Sequence, residues 1–84
     1  MTINIPNEGT LTGNPKTILR LMQETQRFTN SETDGDGYID RVTGNMWRFF
    51  GVGLQVTGET YEERAESFLR ELDRKGFITI TEED

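Results

Sequence analysis

Gly37-Tyr38-Ile39-Asp40, Val42 to Phe50, Gly51-Val52, Tyr61 to Lys75 and Gly76-Phe77-Ile78-Thr79-Ile80 follow one another in the stretch that decides the fold. Read in order, these pieces predict a short strand, a helix, a turn, a second helix and a closing strand. The helix from Tyr61 has the plainest signals. Thr60 stands where an N-cap belongs, Glu63 three residues on has the capping-box spacing, and Glu59, Glu62 and Glu63 complement the positive end of the helix dipole. Tyr61, Ala65, Phe68, Leu69 and Leu72 form its buried stripe. Arg70, Arg74 and Lys75 gather toward the other end, and Gly76 is the expected left-handed terminator.

Working outward, Val42 to Phe50 predicts a helix that offers Val42, Met46, Trp47, Phe49 and Phe50 to the core. Gly44 weakens it by about 1 kcal/mol relative to alanine, so packing has to hold it. Gly51, Gly53 and Gly58 then predict a turn longer than that of a minimal helix-turn-helix. Further upstream, Asn14 caps and Pro15 opens a first helix reaching to about Phe28. Its buried face is Ile18, Leu21, Met22, Thr25 and Phe28, with Leu19 at the margin. Thr29 to Gly37 is a polar loop. At the start of the chain, Ile3 and Ile5 alternate with polar residues before Pro6, which suits a short edge strand or an ordered arm. Asn7 to Gly13 is a glycine- and threonine-marked loop.

The 84 residues are one domain's worth of chain, with residues 1–13 as arm and loop and 81–84 as an acidic tail. Apolar residues make up only 32% of the chain, but eight of them are aromatic, enough for a core and unlike a disordered composition. There is no cysteine and no histidine, which removes disulfides, the usual zinc sets and the commonest general base. Ser31, Ser67, Lys16 and Lys75 sit in no nucleophile motif, so an enzyme is not expected. The opening MTINIPNEG has neither a positive start nor an apolar run; no signal peptide, no membrane association and an intracellular, cytoplasmic setting are expected. A formal charge of −6 disfavours phosphate backbones and favours basic partners.

The segment Phe68-Leu69-Arg70-Glu71-Leu72-Asp73-Arg74-Lys75-Gly76-Phe77-Ile78 resembles the end of the third helix and the entry to the wing in winged helix-turn-helix proteins. Gly37-Tyr38-Ile39 looks like that family's first strand, and Phe50-Gly51-Val52 like the close of its second helix. The resemblance covers residues 14–80 and implies a mainly α, three-helix winged-helix-like domain with a minimal β-sheet. In the family, exposed residues on the first turns of the third helix touch base edges in the major groove. Here those positions are Glu62, Glu63, Arg64, Glu66 and Ser67, and three carboxylates repel phosphate. After Ile80 only four residues follow, too few for a full wing hairpin.

Asp34-Gly35-Asp36-Gly37-Tyr38-Ile39-Asp40 resembles the centre of an EF-hand calcium loop. Matched on Gly37, it places Asp34, Asp36 and Asp40 as side-chain ligands and Tyr38 as a carbonyl donor. The first position then falls on Glu32, and the twelfth, which should supply two oxygens, falls on Thr43. The competing reading is turn chemistry, with glycines at positive φ and aspartates bonding the local backbone.

The sequence therefore points to a small acidic recognition domain without cofactor. Its expected partner is a protein with a basic surface, and it would inhibit a nucleic-acid-binding protein by filling that surface. Glu62, Glu63, Arg64, Glu66 and Arg70 are the expected partner-binding residues. The alternatives are a DNA-binding transcriptional regulator, using Lys16, Arg20, Arg41 or Arg48, and a calcium-binding module with Asp34, Asp36 and Asp40.

Overall fold

A computed structural model describes residues 1–6, 8–25 and 35–81, the first two residues of the last stretch by their backbone alone. The chain runs β1 (Thr2–Ile5), β2 (Gly9–Thr12), α1 (Pro15–Glu24), α2 (Gly35–Phe50), α3 (Tyr61–Arg74) and β3 (Thr79–Thr81). Among the described residues, three helices thus accompany a small three-stranded antiparallel sheet of order β2-β1-β3. The first helix, expected to reach about Phe28, ends at Glu24 with Thr25 as its C-cap, and Thr81 of the expected tail belongs to β3; residues 26–28 and 82–84 lie outside the described residues.

The sheet joins the two ends of the chain. Ile3 pairs with Leu11 on one side and with Ile80 on the other. Its alternation decides the register, because Ile3 and Ile5 are buried while Asn4 is exposed, and a slip of one residue would exchange the faces. Met1 closes the hairpin by accepting from the Gly13 amide at 3.0 Å. The region 7–13, expected as loop, contains β2, and β1 is the central strand instead of an edge.

Asn14 Oδ1 accepts from the Thr17 amide at 2.8 Å, and Pro15 occupies the first turn of α1 as its sequence predicts. The buried residues of α1 are Ile18, Leu19 and Met22, so the helix is rotated to bring Leu19 inward and leave Leu21 half-buried and Thr25 exposed. Packing against α3, α2 and β2 together sets that rotation, since three neighbours demand a wider apolar arc than one.

The largest departure is at α2, which begins at Gly35 and takes in the expected strand at Gly37 to Asp40. Tyr38, Ile39, Val42 and Met46 lie on one side of this longer helix and all are buried. Burying four large side chains on one arc outweighs both the β-preference of Tyr-Ile and the cost of helical glycine. Tyr38 meets Phe68 of α3 edge-on, with ring centroids 6.3 Å apart.

With those four residues filling the core, Trp47, Phe49 and Phe50 are left 68%, 68% and 63% exposed, against the expectation that they are core. Trp47 lies about 100° round the helix from Met46, away from the packed side. Phe49 and Phe50 occupy the last turn, and Phe50 is touched by Phe77 at 5.7 Å between centroids.

Both ends of α3 match expectation. Thr60 and Glu63 complete a capping box. At the other end Phe77 N donates to Leu72 O (2.9 Å) and Gly76 N to Asp73 O (3.0 Å), with Gly76 at φ 88°. This is a Schellman closure, and it swings the chain back so that Ile78 enters the core before β3.

Candidate functional site

Between α2 and α3 the chain is extended; Gly51 N and Val52 N close α2 on Trp47 O and Met46 O (both 3.1 Å), and the polar contacts of residues 55–59 are made by α3. Leu54 points into the core, with Val52 and Val56 packed beside it. The alternate amides turn the other way. Gln55 N donates to Glu71 Oε1 (3.0 Å), Thr57 N to Ser67 Oγ (3.0 Å) and Glu59 N to Glu63 Oε1 (2.9 Å). Glu63, Ser67 and Glu71 are spaced four apart on one face of α3, and 55, 57 and 59 two apart on the extended segment. A helical row of acceptors thus takes the place of a neighbouring strand.

This ladder floors an open groove of about 740 Å³ lined by Gln55, Thr57, Gly58, Glu59, Glu63, Glu66, Ser67, Arg70 and Glu71. Four carboxylates and one guanidinium face it. Glu66 holds that guanidinium, Arg70 Nε, at 3.0 Å, and Arg74 reaches Glu71 from outside at 3.4 Å. Bonds from neutral amides leave the charge of Glu63 and Glu71 intact while fixing its place. The Glu59 amide, then the Thr60 amide, hold the Glu63 carboxyl below its ordinary value against a smaller opposing effect of burial, with the Thr60 hydroxyl adding least.

The expected partner-binding residues are divided by the structure. Glu63, Glu66 and Arg70 share the groove. Glu62 lies in a second groove with Asn14, Lys16, Thr17, Arg20, Gln23 and Tyr61, where two cations of α1 face it. Arg64 Nη1 donates to the Glu59 carbonyl at 3.2 Å, bracing the turn before α3. Sequence reasoning missed Glu59, Ser67 and Glu71 as parts of one site. Their signal was the spacing of 63, 67 and 71 against the alternation of 55, 57 and 59.

A third surface lies along α2, where Gly37, Asp40, Arg41, Gly44, Asn45 and Arg48 line one shallow groove. The two arginines are seven residues apart and share a face. Part of the expected calcium loop falls on this same helix. Residues 37–40, which would have to wrap an ion, are part of α2, and Tyr38 is a core residue. Asp34 and the side chain of Asp36 lie outside the described residues, Asp40 is exposed, and among the described residues no three acidic side chains converge to hold a metal ion.

In comparisons with known proteins, no family model, no curated protein and no solved structure matched this chain. Among the described residues no helix is long and apolar enough to cross a membrane.

Proposed function

We propose that this chain is a non-enzymatic recognition domain whose acidic groove, between residues 55–59 and α3, takes lysine and arginine side chains of a protein partner. The observation that carries this reading is that Glu59, Glu63, Glu66 and Glu71 line one concavity, with the Glu63 and Glu71 carboxylates held by backbone amides. Carboxylates already held by backbone amides lose little freedom when a cation arrives, so the attraction is offset by less ordering cost. A surface that is itself built to hold a phosphate backbone has the matching charge, and a domain filling it would compete with nucleic acid. We read α2, α3 and the strand that follows as the winged-helix-like part of the fold.

The test is calorimetric titration of the domain with a synthetic arginine- and lysine-rich peptide. Glu59→Gln with Glu66→Gln should weaken binding clearly, whereas Glu8→Gln with Glu24→Gln, which removes equal charge elsewhere, should change it little. Equal losses from the two pairs would reduce the effect to net charge and end the proposal.

One observation favours a second reading. Arg41 and Arg48 do share a face, so a regulator contacting DNA through α2 has a surface to use. Such binding to duplex DNA would weaken steeply as salt rises and would be lost in Arg41→Ala with Arg48→Ala. No mobility shift at low salt would remove it.

A further inference from the structure

We infer that residues 54–57 form a strap that lifts off α3 as one unit, turning at Gly53 and Gly58, and so gates the acidic groove. The inference concerns when the groove exists and does not rest on what fills it.

Both flanks of the strap are tied to their helices. Val52 N is bonded to Met46 O at the end of α2, and the amides of Glu59 and Thr60 are bonded to Glu63 at the start of α3. Between them the strap makes two main-chain hydrogen bonds among the described residues, from Gln55 N to Glu71 and from Thr57 N to Ser67. Gln55 and Thr57 are exposed, so water can replace either bond when the strap lifts, and each bond contributes only modestly to holding it down. Leu54 is the strap's one buried residue, whereas α1 buries three side chains and α3 four. A segment with one apolar anchor and solvent-reachable hydrogen bonds opens at lower free energy than the core beneath it.

Glycine stands at both turning points. At Gly53 nothing lies within 4 Å of the place a Cβ would take, so the chain is free to turn there. Gly58, at φ +129°, is seated against the first turn of α3, where a Cβ would stand 2.7 Å from Glu63 Cβ. A few residues of this kind can absorb the backbone change of an opening segment while its flanks stay in place. Leu54, Gln55, Val56 and Thr57 form a single extended run between the two glycines. Withdrawing Leu54 from the core therefore draws the Gln55 and Thr57 amides off Glu71 and Ser67 together. Gln55 and Thr57 then leave the lining of the groove, and what remains is an open face of α3.

The test is native-state hydrogen exchange of the full chain, read at the Gln55, Thr57 and Glu59 amides against those of Phe68 and Leu69, buried within α3. Gln55 and Thr57 should share one opening free energy, lower than that of Phe68 and Leu69, while Glu59 follows its own. Leu54→Ala should speed exchange at Gln55 and Thr57 by the same factor, about thirty-fold, as loss of a buried leucine side chain implies. A second variant locks the strap. The chain has no cysteine, and Thr57 Oγ1 lies 3.5 Å from Ser67 Oγ, so Thr57→Cys with Ser67→Cys brings two thiols together for a disulfide. Oxidation of that variant should slow Gln55 exchange about tenfold or more relative to its own reduced form. The wild-type and disulfide comparisons need no core substitution, so the test holds even if Leu54→Ala does not fold. Gln55 and Thr57 opening only at the free energy of Phe68 and Leu69 would overturn the inference. So would different opening free energies for the two amides, or a Gln55 amide indifferent to the disulfide.

Discussion

Thr60 and Glu63 hold one another. The Thr60 hydroxyl accepts from the Glu63 amide at 3.1 Å, while the Glu63 carboxylate accepts from the Thr60 amide at 3.1 Å and the Glu59 amide at 2.9 Å. One glutamate therefore starts α3 and also pins the last residues of the extended segment. Thr60→Ala should destabilise the domain by about 1 kcal/mol, measured as a lower urea midpoint with unchanged slope.

The same pair predicts a pH dependence. Glu63 titrates lower in the folded chain than its ordinary value of 4.5, because the folded state hydrogen-bonds the charged form. Its contribution is complete above that ordinary value and is lost as pH falls through the lower, folded one. The melting temperature should therefore fall below about pH 4.5, and Glu63→Gln, which can still close the capping box, should shrink that fall.

Ser67 is the middle rung of the ladder between α3 and residues 55–59. Ser67→Ala removes the acceptor of the Thr57 amide and should cost about 0.5 to 1 kcal/mol. Native-state hydrogen exchange should show Thr57 losing protection while Gln55 and Glu59, bonded to Glu71 and Glu63, keep theirs.

Two glycines should respond oppositely to alanine. Gly58 has φ +129°, and a Cβ there would stand 2.7 Å from Glu63 Cβ and 3.0 Å from the Arg64 nitrogen. Gly58→Ala should destabilise by about 1 to 3 kcal/mol through backbone strain alone, with displacement of α3 added to it. Gly44 lies within α2 with nothing near its missing Cβ, so Gly44→Ala should stabilise by about 1 kcal/mol. Thermal melts of the two variants decide both signs.

Thr43 Oγ1 is buried without a hydrogen-bond partner. Replacing the hydroxyl by a methyl group removes that desolvation cost, and Thr43→Val should raise stability by about 1 kcal/mol in the same melts. A drop would mean that the hydroxyl is satisfied in solution.

The candidate site was partly legible in the chain. Glu63, Glu66 and Arg70 were recognisable as an exposed charged face of α3, and they do line the groove. Ser67 was legible only as another exposed position there and Glu71 not at all, because their role depends on where residues 55–59 run, and no local rule places an extended segment beside a helix. Glu62 was grouped with them by sequence proximity, yet one residue along a helix is a turn of about 100°, enough to carry it into the groove with Lys16 and Arg20.

What the sequence by itself determined are the features that neighbours in the chain settle among themselves. Asn14 with Pro15, Thr60 with Glu63, and Gly76 after Lys75 mark helix ends because a cap is satisfied within a few residues, whatever the rest of the molecule does. The stripe of Ala65, Phe68, Leu69 and Leu72 is equally local, being a matter of helical period. Tertiary structure alone decided the state of Gly37 to Asp40, the pairing of Ile3 with Ile80 and the exposure of Trp47, Phe49 and Phe50. Each of these turns on which apolar groups reach the core first. Tyr38, Ile39, Val42 and Met46 occupy the space beside Phe68, so the segment becomes helix and the remaining aromatics of α2 stay at the surface. Strand pairing across 77 residues of separation carries no local signal, because β1 is completed only when α3 delivers Ile80 to it.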